Sequence, residues 1–369
     1  MMAAGLPTES TPRPISKEVK AELSKYTCGY DGSVKVCCPP GPIKIGSSVT
    51  PANGSLDVPL RPPDVTNHRN LKLIPEECGY LGNPNKIRNG QDARLNEFPW
   101  MALLSYRTSR GPEFRCGGSI INERYILTAA HCITDLEFPL LGVRVGEYAI
   151  STKIDCEIDD LLQKKCSSDP IQDVAIEEII SHPGFTKDVI VDDVGLLRVA
   201  KMNLNVENAR PVCLPTTPQT INAKFNYCVV TGWGFTDSYD GPDRRPTMFS
   251  LCPLGPPPSE VSGGNNADIL QKVDLPIMDH TQCKNLYKDE PRVKINDKQI
   301  CAGGKDNKDS CPGDSGGPMH AAAYLNEDSR YVQQGVVSFG HRFCGTAGYP
   351  GVYTRIAYYM DWILDNIKP

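Results

Sequence analysis

The run Asp309-Ser310-Cys311-Pro312-Gly313-Asp314-Ser315-Gly316-Gly317-Pro318 sets one serine among small residues, an arrangement suited to acyl transfer. A serine hydroxyl is a weak nucleophile until a base removes its proton, and the oxyanion it creates needs donors already in place. The glycines around Ser315 let the amides of Gly313 and Ser315 turn toward one point. A base must come from the six histidines, His68, His131, His182, His280, His320 and His341. His131 closes the apolar run Tyr125-Ile126-Leu127-Thr128-Ala129-Ala130 and precedes Cys132, so a strand end pinned by a disulfide would hold its imidazole rigidly. The other five lack such a setting and are expected at the surface. The imidazole in turn needs a buried carboxylate to fix its tautomer. Val191-Asp192-Asp193-Val194-Gly195 offers two acids before an apolar strand, and periodicity does not choose between them. The resulting order, His then Asp then Ser, differs from the other chain orders that carry the same chemistry.

Positioning these groups requires a folded scaffold, and the chain has the composition for one. Apolar residues make up 40% and charged residues 22% of 369, which excludes a wholly disordered or collagen-like chain. The net charge is −5 and no Lys/Arg cluster forms a nucleic-acid footprint, so no nucleic-acid partner is expected. No apolar run reaches the length of a membrane span. Short β-branched runs separated by turn residues (Trp100–Tyr106, Tyr125–Ala129, Leu196–Val199, Cys228–Trp233 and Gly335–Phe339) predict an all-β barrel or sandwich. At the C-terminus Met360, Ile363, Leu364 and Ile367 stand at helical spacing and predict one amphipathic helix covering the core.

Fifteen cysteines without paired metal-ligand spacing point to disulfides, an oxidising compartment and secretion. The start, Met1-Met2-Ala3-Ala4-Gly5-Leu6-Pro7, lacks the apolar core of a signal peptide, so a signal is expected outside this stretch. Residues 1–66 carry ten prolines and the cluster Cys28…Cys37-Cys38, which sets them apart from the strand-rich remainder. The expected division is 1–40, a small disulfide module; 41–86, a linker and activation segment; and 87–369, the β domain. Asn53-Gly54-Ser55 in the linker matches an N-glycosylation acceptor. Tyr239 to Asn265 holds six prolines and four glycines between strand-like neighbours and reads as a surface insertion or an unspliced intron.

The serine and histidine motifs resemble those of the trypsin/chymotrypsin family from Ile87 to the C-terminus. That resemblance implies two six-stranded antiparallel barrels with the site between them, His131 as general base, Asp193 as its orienting acid and Ser315 as nucleophile. Gly313 and Ser315 would form the oxyanion hole. Asp309, six residues before Ser315, would sit at the floor of the specificity pocket, with Gly340 and Gly351 in its walls, so cleavage after Arg or Lys is implied. Cleavage between Lys86 and Ile87 would free an ammonium to pair with Asp314, although Arg88 and Asn89 depart from the family's usual Val and Gly. The cluster Cys28…Cys37-Cys38 resembles the second half of a clip module of arthropod clip-domain proteases. Its three missing partners are expected upstream of Met1.

The same resemblance pairs Cys116 with Cys132, Cys156 with Cys166, Cys283 with Cys301, Cys311 with Cys344, and Cys78 with Cys213, the last tethering the two chains after cleavage. Cys28, Cys37, Cys38, Cys228 and Cys252 are left without assigned partners. Glu147 and Glu157 resemble a calcium loop, so a structural calcium ion is the one cofactor expected, and none is needed for catalysis. The implied protein is a secreted zymogen of an extracellular immune or developmental cascade. Its implied partners are an upstream trypsin-like protease, precursor proteins as substrates and serpin-type inhibitors. A non-catalytic clip-domain homologue and a digestive trypsin are the alternatives.

Overall fold

The computed structural model describes residues 60–80, 91–158, 162–235, 266–306, 308–325, 328–341 and 344–369, with the backbone of 27–30 and 34–36. Lys86 and Ile87, Asn53, Cys37, Cys38, Cys252, the side chain of Cys28 and the stretch 239–265 lie outside the described residues. The chain forms two compact units, Met1–Val58 and Pro59–Pro369. In the first, β1 (Thr27–Tyr30) and β2 (Val34–Val36) pair antiparallel.

The larger unit holds two antiparallel sheets of seven strands, where six apiece were expected. The first contains β4 (Met101–Thr108), β5 (Gly111–Asn122), β6 (Tyr125–Thr128), β7 (Leu140–Val145), β10 (Gln172–Val174), β11 (Ile176–Ser181) and β12 (Gly195–Val199). Strands β10 and β11 are one stretch of chain bent at Ala175. Because β10 pairs with β7 at one edge and β11 with β12 at the other, that single stretch closes the sheet on itself and is counted twice. A closed barrel leaves no edge to aggregate.

The second sheet contains β3 (Gln91–Asp92), β13 (Tyr227–Gly232), β14 (Gln271–Pro276), β15 (Gln299–Ala302), β16 (Pro318–Leu325), β17 (Asp328–Phe339) and β18 (Gly351–Arg355). Its seventh strand is the two-residue β3 laid on the edge of β14. Closure comes from the far end of β14, where Ile277 bridges Ala302 and the Met278 N–H donates to Cys301 O at 2.8 Å. A separate hairpin, β8 (Cys156–Ile158) with β9 (Lys164–Cys166), projects from the loop after β7.

Among the described residues, three short α-helices complete the unit, α1 (Pro218–Ile221), α2 (His280–Leu286) and α3 (Met360–Asn366). The predicted terminal helix is α3, and Met360, Ile363, Leu364 and Ile367 are all fully buried in the core around Trp100, Tyr125 and Leu127. Burying each such side chain stabilises the fold by about 1.5–3 kcal/mol. The helix end leaves carbonyls without intrahelical partners, and Asn70 meets two of them, donating through Nδ2 to Leu364 O at 2.8 Å and Ile367 O at 3.3 Å. Residues 60–80 therefore pack on the barrels.

Candidate active site

The chain brings its three sequence-selected groups to facing elements. His131 lies in the 3-10 turn Ala130–Cys132 that follows β6, Asp193 in the loop between β11 and β12, and Ser315 in the loop before β16. What closes the gap between nucleophile loop and histidine turn is backbone without side chains. The Gly117 N–H donates to Ser315 O at 2.8 Å, and Gly316 adopts φ +79°. A Cβ on Gly316 would stand 2.3 Å from Thr128 Oγ1 and 2.5 Å from Gly117 O, so only glycine allows this approach. Among the described residues no hydrogen bond joins Ser315 Oγ to His131. Contacts of this kind tighten when substrate arrives.

Of the two adjacent acids, it is Asp193 that lies against His131. Its Oδ2 accepts from His131 Nδ1 at 2.8 Å and from Ser338 Oγ at 2.5 Å, while Oδ1 accepts from the His131 backbone N–H at 2.9 Å. Burial pushes this carboxyl up, but the adjacent His131 and the three hydrogen bonds outweigh it and hold Asp193 below the ordinary carboxylate range. Thr354 Oγ1 donates to Asp193 O at 2.7 Å, fixing the backbone as well. Sequence reasoning missed Ser338 and Thr354, although Ser338 lies two residues before Gly340. Asp192 points elsewhere, to Lys298 and Tyr359.

Below Ser315 the loop is organised by Asp314, which accepts from the Cys311 and Gly234 N–H groups at 2.8 Å each. Burial pushes Asp314 up to about 6. Gly313, at φ +102°, precedes it. Asp309 accepts from the Ser310 N–H at 2.9 Å and the Gly345 N–H at 3.4 Å, and burial pushes it up to about 7. A Cβ on Gly351 would stand 2.9 Å from Asp309 Oδ1, so a larger residue there would fill the space above the carboxyl. A Cβ on Gly340 would meet only Gly351 Cα, at 3.6 Å. These three residues thus stand together.

All five expected disulfides are formed, Cys116–Cys132, Cys156–Cys166, Cys283–Cys301, Cys311–Cys344 and Cys78–Cys213. Cys228 is a buried free thiol. One expectation is corrected: His320 is fully buried against Phe98, Trp100 and Tyr331 rather than exposed, because β16 turns it into the barrel interior.

In the loop after β7, Glu147 Oε1 and Asp155 Oδ2 both accept from the Tyr148 N–H, at 3.0 Å and 2.9 Å. Burial, then the charge of Asp155, pushes Glu147 up, though Arg144 Nη1 reaches its Oε2 at 3.2 Å. Glu157 turns away, its Oε2 accepting from the Leu95 N–H at 2.9 Å. Asp155, rather than Glu157, thus shares a donor with Glu147.

The Trypsin family description matches residues 87–248 and 257–363. The chain belongs to the trypsin family. The break in that match falls inside the proline-rich stretch 239–265. Serine protease ea of Drosophila melanogaster is 36% identical over 368 residues, covering 97% of this chain and 84% of that protein. Phenoloxidase-activating factor 1 of Holotrichia diomphalia is 36% identical over 360 residues, covering 95% and 86%. Among solved structures, the Drosophila Grass clip serine protease of the Toll pathway superposes with a TM-score of 0.66 at 31% identity, over 96% of this chain and 87% of that one. This trypsin-family chain is thus related to insect clip-domain proteases over nearly its whole length. Among the described residues, no helix is long and apolar enough to cross a membrane.

Proposed function

We propose that the chain is a secreted serine endopeptidase zymogen that cleaves precursor proteins after Arg or Lys in an extracellular immune or developmental cascade. The single observation carrying this reading is the hydrogen-bonded line Ser338 to Asp193 to His131, which fixes the imidazole in one orientation. With Nδ1–H bound to Asp193, Nε2 is the basic nitrogen. It takes the proton as Ser315 Oγ bonds to the scissile carbonyl carbon. The amides of Gly313 and Ser315 receive the oxyanion charge. His131 then returns the proton to the leaving amine, and water repeats the sequence to release the acid. An arginine or lysine side chain before the scissile bond would enter above Asp309, whose buried carboxylate favours a cation able to pair with it.

Activation between Lys86 and Ile87 would deliver an ammonium to Asp314, the buried acid next to the nucleophile. Upstream trypsin-like proteases would make that cut, and serpin-type proteins would trap the acyl-enzyme. Relatives named for phenoloxidase activation and for the Toll pathway support the cascade assignment. Glu147 and Asp155 would hold a calcium ion, which would stiffen the loop and take no part in the chemistry.

Turnover of an Arg-containing peptide by the cleaved protein is the test. Ser315→Ala should abolish it with the fold intact, and Asp193→Asn should lower kcat by about 10,000-fold through the wrong imidazole tautomer. Retained activity in Ser315→Ala would overturn the assignment.

A further inference from the structure

Asp192 sits directly beside the carboxylate that orients His131, yet it touches neither His131 nor Ser315. Its backbone takes φ +53°, a left-handed conformation that side chains other than glycine, Asn or Asp rarely adopt. This turn sends two neighbouring acids to different places. Asp193 enters the site, while Asp192 Oδ1 accepts from Lys298 Nζ at 2.6 Å and from Tyr359 OH at 2.8 Å. The space on the other side is closed: a Cβ on Gly184 would lie 2.5 Å from Asp192 Oδ2. His182 packs edge-on against Tyr359, with ring centres 5.3 Å apart, and its Nδ1 accepts from the Gly184 N–H at 3.1 Å.

These partners come from outside the first barrel. Lys298 directly precedes β15, and Tyr359 lies immediately before α3. The same stretch of chain is tied to the second barrel by the Ile190 N–H donating to Arg292 O at 2.8 Å, and by Gln299 Nε2 donating to Ile190 O at 3.2 Å. Asp192 and Lys298 form the ion pair of that set. Burial raises its carboxyl, but the Lys298 and Tyr359 hydrogen bonds hold it below the ordinary range, so it is ionised at neutral pH.

We infer that Asp192, clamped by Lys298 and Tyr359 across the barrel interface, is a positioning residue that sets the backbone of Asp193 and thereby the His131 imidazole. This inference rests on the catalytic reading above. A misplacement of about 1 Å far from the reacting atoms lowers rate about 100-fold, so the clamp is read in kcat rather than in substrate affinity.

The test uses the full chain after activating cleavage, compared with Asp192→Ala, Lys298→Met, Lys298→Arg and the Asp192→Ala/Lys298→Met pair. Asp192→Ala and Lys298→Met should each lower kcat by about 10- to 100-fold with KM within about twofold. The double variant should be no worse than either single one, because both break one unit. Lys298→Arg should keep most of the rate. The acid limb of kcat/KM should move to lower pH in the impaired variants, since a displaced Asp193 supports the imidazolium less. The downfield proton resonance of His131 Nδ1–H should shift in parallel. That resonance needs no turnover, so it decides the positioning claim even if Ser315 fails to react with a serine-directed acylating reagent, an outcome that would defeat the catalytic reading alone. Should Asp192→Ala not fold, Lys298→Met and Tyr359→Phe decide in its place. Variants that lose thermal stability while kcat, the acid limb and the resonance stay unchanged would overturn the inference.

Discussion

Asp309, the acid proposed to meet the substrate cation, carries a pH dependence of its own. Burial pushes its carboxyl up to about 7, and backbone N–H groups offset this only in part. A raised acid favours the neutral form, so below pH 7 a cationic ligand must first displace a proton. Affinity for benzamidine or an Arg peptide should therefore fall about tenfold per pH unit below 7 and level off above it. Competition binding between pH 5 and 9 measures this. Asp309→Ser should flatten the curve and remove the preference for Arg over Phe, whereas an unchanged curve would show that the carboxyl does not face the ligand. Asp192 and Asp193 enter separate networks. Adjacent identical side chains acquire different chemistry because one turn of backbone aims them at different neighbours.

At the scale of elements, β16 links the nucleophile loop to a buried imidazole. His320 has neither ring nitrogen paired among the described residues, and burial lowers it to about 3. The neutral form is the one that fits the cage of Phe98, Trp100 and Tyr331. A lowered histidine contributes stability that is complete above its unfolded value of about 6.5 and is lost as pH falls below it. At pH 5 the loss is about 2 kcal/mol. Thermal unfolding of His320→Phe should lack this acid-sensitive component while retaining its neutral-pH Tm, and a parallel acid decline in that variant would refute the assignment. The loop after β7 behaves as a second element with a condition attached. If Glu147 and Asp155 hold calcium, adding the ion should raise Tm and Glu147→Gln should remove the gain. A Tm indifferent to calcium would leave Arg144 as the counter-charge for Glu147.

Across the whole molecule, the Cys78–Cys213 bridge ties the segment before the expected cut to the chain that follows it. Around it the Gly79 N–H donates to Pro211 O at 2.9 Å and the Tyr331 N–H to Gly79 O at 2.7 Å, so the tether is also seated by backbone. Cleavage after Lys86 should yield two fragments that separate on a reducing gel and remain together on a non-reducing one. The new terminus should read Ile-Arg-Asn-Gly. Pairing of its ammonium with Asp314 should also raise Tm relative to the uncleaved chain. Because burial holds the unpaired carboxyl near 6, that gain should be present above pH 6 and fade below it as Asp314 takes up a proton. Equal Tm values at pH 8 would argue against insertion.

Ser315 and His131 were legible in the sequence because local pattern is enough to mark them: glycines around a serine, and a histidine between an apolar run and a cysteine. The strands and α3 were legible for the same reason, since β-branched runs between turn residues and helical spacing are both local patterns. Tertiary structure decided what depends on residues far apart in the chain. Asp193 and Asp192 have the same side chain and nearly the same sequence surroundings, and only the positions of Ser338, Thr354, Lys298 and Tyr359 separate them. His320 looked like a surface residue because burial depends on the direction of β16 relative to Trp100 and Tyr331, which no local run encodes. Barrel closure by the single stretch 172–181 is likewise a pairing between distant strands. Sequence thus determined which groups could react. Long-range packing determined which of them face one another, because hydrogen bonds and burial act through space and the chain returns to the same point only once it has folded.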